Sequence, residues 1–121
     1  MQDFRKLHVW RKSHQLTLDA YAISATLSHP KYFNFRDQLL RSAVSVPANS
    51  AEGCGRAGAR DFRRFLRHSL GSACELEYHL LLARDLGLVP ESNYRPLALQ
   101  AVEVKRMLVG LIRRLTADAE S

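Results

Sequence analysis

Apolar residues recur at spacings of three and four along almost the whole chain. Between residues 7 and 28, Val9, Leu16, Ala20, Ile23 and Leu27 form one stripe, with Trp10, His14, Leu18, Tyr21 and Ala25 beside it. Arg11, Gln15, Asp19 and Thr26 fall opposite, so the segment reads as an amphipathic helix that Pro30 stops. A second helix is predicted over 34–53, with Asn34 as its N-cap and Asp37 covering free N–H groups in the first turn. Its apolar rows are Leu39, Ala43 and Val46, and Leu40, Val44 and Ala51. A third is predicted over 60–86, with the row Phe62, Phe65, Ser69, Ala73, Leu76, Leu80 and Ala83, ending where Gly87 can turn left-handed.

The fourth, over 93–116, carries the cleanest pattern. Leu97, Ala101, Val104, Leu108, Leu111 and Leu115 alternate spacings of four and three, the a/d seam of packed helices. Ala98, Val102, Val109 and Ile112 widen the stripe to the breadth a bundle position needs. Ser92 or Asn93 is its expected cap, with Pro96 in the first turn. There is no strand-like alternation, internal repeat or low-complexity tract. The pattern predicts one domain over residues 1–121, all-α, an antiparallel up-down-up-down four-helix bundle.

One stretch interrupts this regularity. "SVPANSAEGCGR", residues 45–56, places a proline where the apolar rows of the second helix continue on both sides. A mid-helix proline costs about 3 kcal/mol, yet the continuing rows favour a kinked helix over a broken one. Gly53, Gly55 and Gly58 are then expected to end the helix and free the turn. Opposite the apolar rows runs a polar stripe of Gln38, Ser42, Ser45, Asn49 and Glu52. Glu52 sits unfavourably near a helix C-terminus, which implies a specific partner such as Arg56 or an arginine across an interface. Gly71, in mid-helix with Ser72, is expected where another backbone comes close.

Composition changes the picture mainly through charge. The 121 residues have room for one core, and the net charge of +6 with a pI near 9.8 suits an anionic partner. Residues 54–71 hold Arg56, Arg60, Arg63, Arg64 and Arg67 against one acid, Asp61, whereas residues 72–100 are net acidic. Arg60, Arg64 and Arg67 share a helix face; a solvated surface is the plain alternative to a nucleic-acid face. Phe62 and Phe65 fit the core row, so binding there is expected to be to phosphates without base stacking. No leader-like opening or membrane-length apolar run occurs, which predicts a cytoplasmic protein with no membrane contact. A reducing compartment favours Cys54 and Cys74 as free thiols.

Catalytic and metal constellations are weak. His8, His14, His29, His68, His79 and the cysteines include no CxxC or HxxxH spacing, so no metal site is expected. Ser72 lacks the glycines of a nucleophile elbow, and Glu75 and Glu77 point to different sides of a helix. Glu77 is expected to pair with Arg84 or Arg63. "EGCGRAGAR" has no Walker lysine or preceding strand, so its glycines read as a helix-to-helix turn. The expectation is a non-enzyme without cofactor or small-molecule substrate.

The blocks "LRSAVSVPANSAEGCGR" and "DFRRFLRHSLGSACELEYHLLLARDLG", with an early "VW" and a late "ML-x-x-LI-x-x-L", resemble the bacterial four-helix bundle family that includes proteins encoded within 23S rRNA intervening sequences. That family is similar in turn to the accessory variability determinant proteins of diversity-generating retroelements, barrel-shaped homopentamers whose basic surface engages reverse transcriptase and RNA. The resemblance implies a ring-like homo-oligomer with an RNA or reverse-transcriptase-like partner. Its motif falls on Pro47, Asn49, Glu52, Gly53, Gly55 and Arg56, and on Gly71, Ser72, Glu75 and Glu77, as candidate oligomer contacts. Ser50 stands where isoleucine is common. The function so implied is a homo-oligomeric bundle presenting Arg56, Arg60, Arg63, Arg64 and Arg67 to RNA or an RNA-bearing complex; the alternative is a scaffold for acidic proteins.

Overall fold

A computed structural model describes residues 2–120, and every element in it is helical: α1 (His8–Ser24), α2 (Phe33–Cys54), α3 (Ala59–Asp85) and α4 (Glu91–Glu120), with 3-10 turns at Phe4–Lys6 and Pro30–Tyr32. Each helix packs on the next and α1 also meets α4, giving a helical bundle around one core. Leu16, Leu39, Val46, Leu66, Leu76, Leu80, Val104 and Leu108 are fully enclosed. Of the α4 seam, Leu97, Ala101, Val104 and Leu108 are buried, while Leu111 and Leu115 emerge half-buried near the end of the bundle.

Several ends differ from the pattern's forecast, each for a local reason. α1 stops at Ser24, where the Thr26 and Leu27 N–H groups turn to the Ile23 and Ser24 carbonyls at 3.1 and 2.9 Å, although Leu27 stays in the core. Asn34 is not a cap. Pro30 starts a 3-10 turn that runs straight into α2, with the Lys31 N–H donated to His29 Nδ1. Neither Ser92 nor Asn93 caps α4: the Pro90 carbonyl accepts the Asn93 and Tyr94 N–H groups at 3.0 and 2.9 Å, so the helix starts at Glu91. Pro96 therefore lies in the second turn, where the carbonyl it leaves free belongs to exposed Ser92. α3 ends as forecast. Gly87, at φ +74°, donates to the Arg84 carbonyl and Leu88 to that of Ala83, a Schellman motif.

The buried row of α3 is Phe62, Leu66, Ser69, Ala73, Leu76, Leu80 and Ala83, in strict four–three alternation. Leu66 takes the core place expected of Phe65, which is only half-buried. Gly71 is also a correction: it faces outward, and a Cβ there would meet nothing within 4 Å. No packing within the chain accounts for its propensity cost.

α2 continues through Pro47, which is itself buried. Proline has no N–H, so the Ala43 carbonyl loses its partner in the helix, and Ala43 is fully buried. Thr17 of α1 supplies the replacement, its Oγ1 lying 2.8 Å from that carbonyl and 3.0 Å from the Ser13 carbonyl of its own helix. On its other side α2 meets α3 through small and polar residues. Ser45 and Ser72 share a hydrogen bond of 2.7 Å, Ser42 lies 3.1 Å from His79 Nδ1, and Ser50 lies 3.0 Å from Ser69, which donates to the Val46 carbonyl at 2.8 Å. Ser50 thus exchanges apolar bulk for a satisfied hydroxyl pair. Among the described residues no buried side-chain polar atom lacks a partner. Gly53 lets the helices approach: a Cβ would sit 2.9 Å from Phe62 Cδ1, 3.1 Å from Phe65 Cβ and 3.3 Å from the Phe62 carbonyl.

Two substitutions test this account. Thr17→Val keeps shape and removes only the hydroxyl, so it should cost about 1–3 kcal/mol in chemical denaturation, with Thr17→Ser recovering most of it. Gly53→Ala should cost about 1–3 kcal/mol, because a carbonyl and a Cβ cannot swing aside as a side-chain tip can. A Thr17→Val protein as stable as the parent would show that the Ala43 carbonyl does not depend on that hydroxyl.

Candidate nucleic-acid interface

The turn between α2 and α3 sets the site. Gly55 (φ −78°) closes α2 by donating to the Glu52 and Ala51 carbonyls, and Gly58 (φ −111°) precedes α3, its carbonyl accepting the Phe62 N–H at 3.0 Å. Neither needs a left-handed backbone, so the glycines shorten this corner without loosening it. Gly53 acts by its lack of a side chain inside the helix.

Around this corner four of the five candidate arginines are exposed. Arg56 donates to Glu52 at 2.7 Å, the pairing the sequence suggests, and lays its guanidinium over the Phe65 ring, 4.9 Å from the centroid. Arg64 approaches the same ring at 4.5 Å and Asp61 at 3.4 Å. His68 lies beside it with ring centroids 6.0 Å apart. Arg60 and Arg67 have no partner among the described residues. Arg63 stands apart: half-buried, it donates to the Leu115 carbonyl at 3.1 Å and ties α3 to α4.

Folding adds cations that no linear window reveals. The Gln2 N–H donates to the Cys54 carbonyl at 3.2 Å, bringing the N-terminal segment to this corner. A cavity of about 780 Å³ lies between that segment and Met107, Gly110, Leu111 and Arg114 of α4. Lys6 and Arg114 line that cavity, and the bond from Arg63 to the Leu115 carbonyl brings the C-terminal part of α4 to the same end of the bundle. Residues 2–11, 52–67 and 113–120 hold ten Lys and Arg against five Asp and Glu, so this end carries five of the six net positive charges.

The remaining motif residues have mostly internal uses. Asn49 donates to the Ser45 carbonyl and hydroxyl at 2.8 and 2.9 Å, Pro47 and Gly53 are buried, and Ser72 meets Ser45. Glu77 does not pair with Arg84 or Arg63. It bonds Lys105 of α4 at 2.7 Å and thereby raises that lysine above its ordinary range, against a smaller opposing effect of burial. Arg84 instead meets Asp85, Glu91 and the Tyr94 ring. Glu75 is exposed on α3 with no partner among the described residues. No three His, Cys, Asp or Glu side chains gather as a metal site among the described residues, and no helix there is long and apolar enough to cross a membrane.

A helical bundle with hydroxyl-bonded inner seams and one strongly basic end is the class of protein these features define. The family model for the 23S rRNA-intervening sequence protein matches residues 5–110, and the chain belongs to that family. The fold is similar to the crystal structure, at 1.70 Å resolution, of a protein of unknown function from the S23 ribosomal protein family of Bacteroides thetaiotaomicron VPI-5482. The two share 27% sequence identity and a TM-score of 0.81, over 86% of this chain and 97% of that one. No curated protein matches the chain.

Both thiols are free, Cys54 buried beside this corner and Cys74 exposed on α3. Burial, and then the nearby Asp3 carboxylate, push the Cys54 thiol above its ordinary range. A thiol-specific chromogenic reagent near pH 8 should therefore label one cysteine per chain quickly and the second only at the rate of opening or unfolding. Cys74→Ser should remove the fast phase.

Proposed function

We propose that the chain is a non-enzymatic, homo-oligomeric four-helix bundle, in up-down-up-down order, whose basic end engages RNA or an RNA-bearing protein complex in the cytoplasm. The observation that carries this reading is the gathering of cations from the N-terminal segment, the α2–α3 corner and the C-terminal half of α4 at one end. Solubility requires no such segregation. Phosphate binding uses it directly, because each neutralised phosphate releases counterions and contributes a log–log salt slope of about −0.7 on single strands.

A single bundle offering a few contacts binds weakly, which is why assembly belongs to the proposal. Exposed Tyr21 and Val44 on α1 and α2, and Tyr78 on α3, are apolar surface that contact between copies would cover. An assembly of five, as in the retroelement accessory proteins the motif resembles, would present five basic ends to one RNA, so that avidity replaces contact quality. A reverse-transcriptase-like protein carrying RNA is the partner this resemblance suggests.

Reversing Arg60, Arg64 and Arg67 to Glu lowers the net charge by six units without touching the buried row of α3. The parent should retain RNA in a gel-shift at low salt and lose it near physiological salt, with little sequence preference. The reversal variant should melt cooperatively as the parent does and retain none. A folded variant that still shifts RNA as the parent does would make this face a solvated surface; a parent that captures only acidic proteins would favour the scaffold reading.

A further inference from the structure

The arginines at the α2–α3 corner are of two kinds. Arg60 and Arg67 are exposed and unpartnered, so their charge is available to phosphates. Arg56 and Arg64 each face a carboxylate, Glu52 at 2.7 Å and Asp61 at 3.4 Å, and both lie over the ring of Phe65. A guanidinium paired with a neighbouring acid must give up that bridge to meet a phosphate, which makes Arg60 and Arg67 the readier phosphate contacts. What it keeps is a flat, delocalised face. With the ring on one side and the acid beside it, such a guanidinium offers its opposite face as a surface on which a nucleobase stacks.

Phe65 suits the part of a pillar. Its Cβ is anchored in the α2–α3 seam against Gly53, while its ring reaches the surface beside His68. Next to it lies a shallow hollow of about 550 Å³, lined by Arg64, Arg67, His68, Gly71, Ser72 and Glu75. The outward-facing Gly71 leaves its floor open, which gives that glycine a use that packing within the chain does not. Glu75, unpartnered at the rim, is an acceptor within the same hollow.

We infer that Phe65 with Arg56, Arg64 and His68 forms a stacking site for unpaired nucleobases, flanked by Arg60 and Arg67 as phosphate contacts, so that the RNA engaged at this end is single-stranded. This rests on the RNA reading proposed above and narrows it to one class. A duplex hides its base faces in its own stack and can use only the phosphate contacts. A single strand uses both, and stacking on one platform strengthens binding about five- to a hundredfold.

The test compares a 20-nucleotide single-stranded RNA carrying 2-aminopurine with the duplex of the same sequence, titrated at several salt concentrations. The parent should bind the single strand at least about tenfold tighter and change the 2-aminopurine fluorescence on binding. Phe65→Leu keeps the Cβ contact and should weaken the single-strand complex about five- to a hundredfold, abolishing the fluorescence change with the salt slope kept. Arg60→Gln with Arg67→Gln should instead flatten the slope by about 1.4, twice the single-strand value per phosphate. Gly71→Leu fills the hollow at a helical position with open space, so the protein folds; it too should weaken the single strand. Duplex bound as tightly as single strand, or parent-like affinity and signal in both Phe65→Leu and Gly71→Leu, overturns the stacking site while the RNA reading stands. A parent that binds neither RNA overturns both.

Discussion

The arrangement of the bundle depends on how one buried carbonyl is satisfied. Pro47 lies inside a helix that is flanked on both sides, so the Ala43 carbonyl it strands has no access to water. An unmet buried acceptor costs about 1–3 kcal/mol, a large part of a small domain's margin. The Thr17 hydroxyl fixes the register of α1 on α2 in answering it, because only a donor at that height reaches the carbonyl. A leucine seam tolerates sliding by a turn. A hydroxyl that must reach the Ala43 carbonyl across the seam does not.

The same logic continues across α2 to α3. Ser45–Ser72, Ser42–His79 and Ser50–Ser69 are short side chains whose bonds form only when the helices stand close, and Gly53 removes the one side chain that would keep them apart at the C-terminal end. The contacts of α4 are generic by comparison, Leu97, Val104 and Leu108 supplying buried area without demanding a register. The seams among α1, α2 and α3 are thus set by buried hydroxyls, whereas α4 is fixed by apolar area and by polar contacts at its margins. The ion pairs Glu77–Lys105 and Lys12–Glu103, with the hydrogen bond from Arg63 to the Leu115 carbonyl, hold α4 at its edges.

What the sequence made legible follows from this division. Periodicity located all four helices, the Gly87 cap and the buried part of the α4 seam, because those depend on local spacing. Asn34 and Ser92 failed as caps because prolines at 30 and 90 began the turns earlier, and a capping residue type is only a candidate until the chain's entry angle is known. Phe65 reads as core because it is large and apolar at a permitted spacing; α3 packs on both α2 and α4, and Leu66 is the residue that is fully buried there. That shift of one residue removes the premise on which base stacking is set aside in the sequence, namely that Phe65 lies in the core. The polar stripe of α2 lies opposite its apolar rows, yet Ser42 is buried and Ser45 half-buried, because their hydroxyls meet His79 and Ser72 of α3. The arginine cluster at 56–67 was visible in one dimension, while the contribution of Lys6 and Arg114 exists only once three chain segments converge.

Gathering so much like charge at one end raises the free energy of the folded state through self-repulsion, and the corner shows how that cost is limited. Glu52 and Asp61 are exposed, so each pair is worth little as a bridge, on the order of a few tenths of a kcal/mol. Their effect lies in placement: each acid lowers the local potential at one arginine, and the Phe65 ring takes the facing cations at its negative face. Arg56 and Arg64 thus each have an acid and a ring beside them, whereas Arg60 and Arg67 have no partner among the described residues. A surface built for solubility alone would scatter these charges. Where unpartnered cations stand beside paired ones, an anion would relieve most of the repulsion that folding leaves in place.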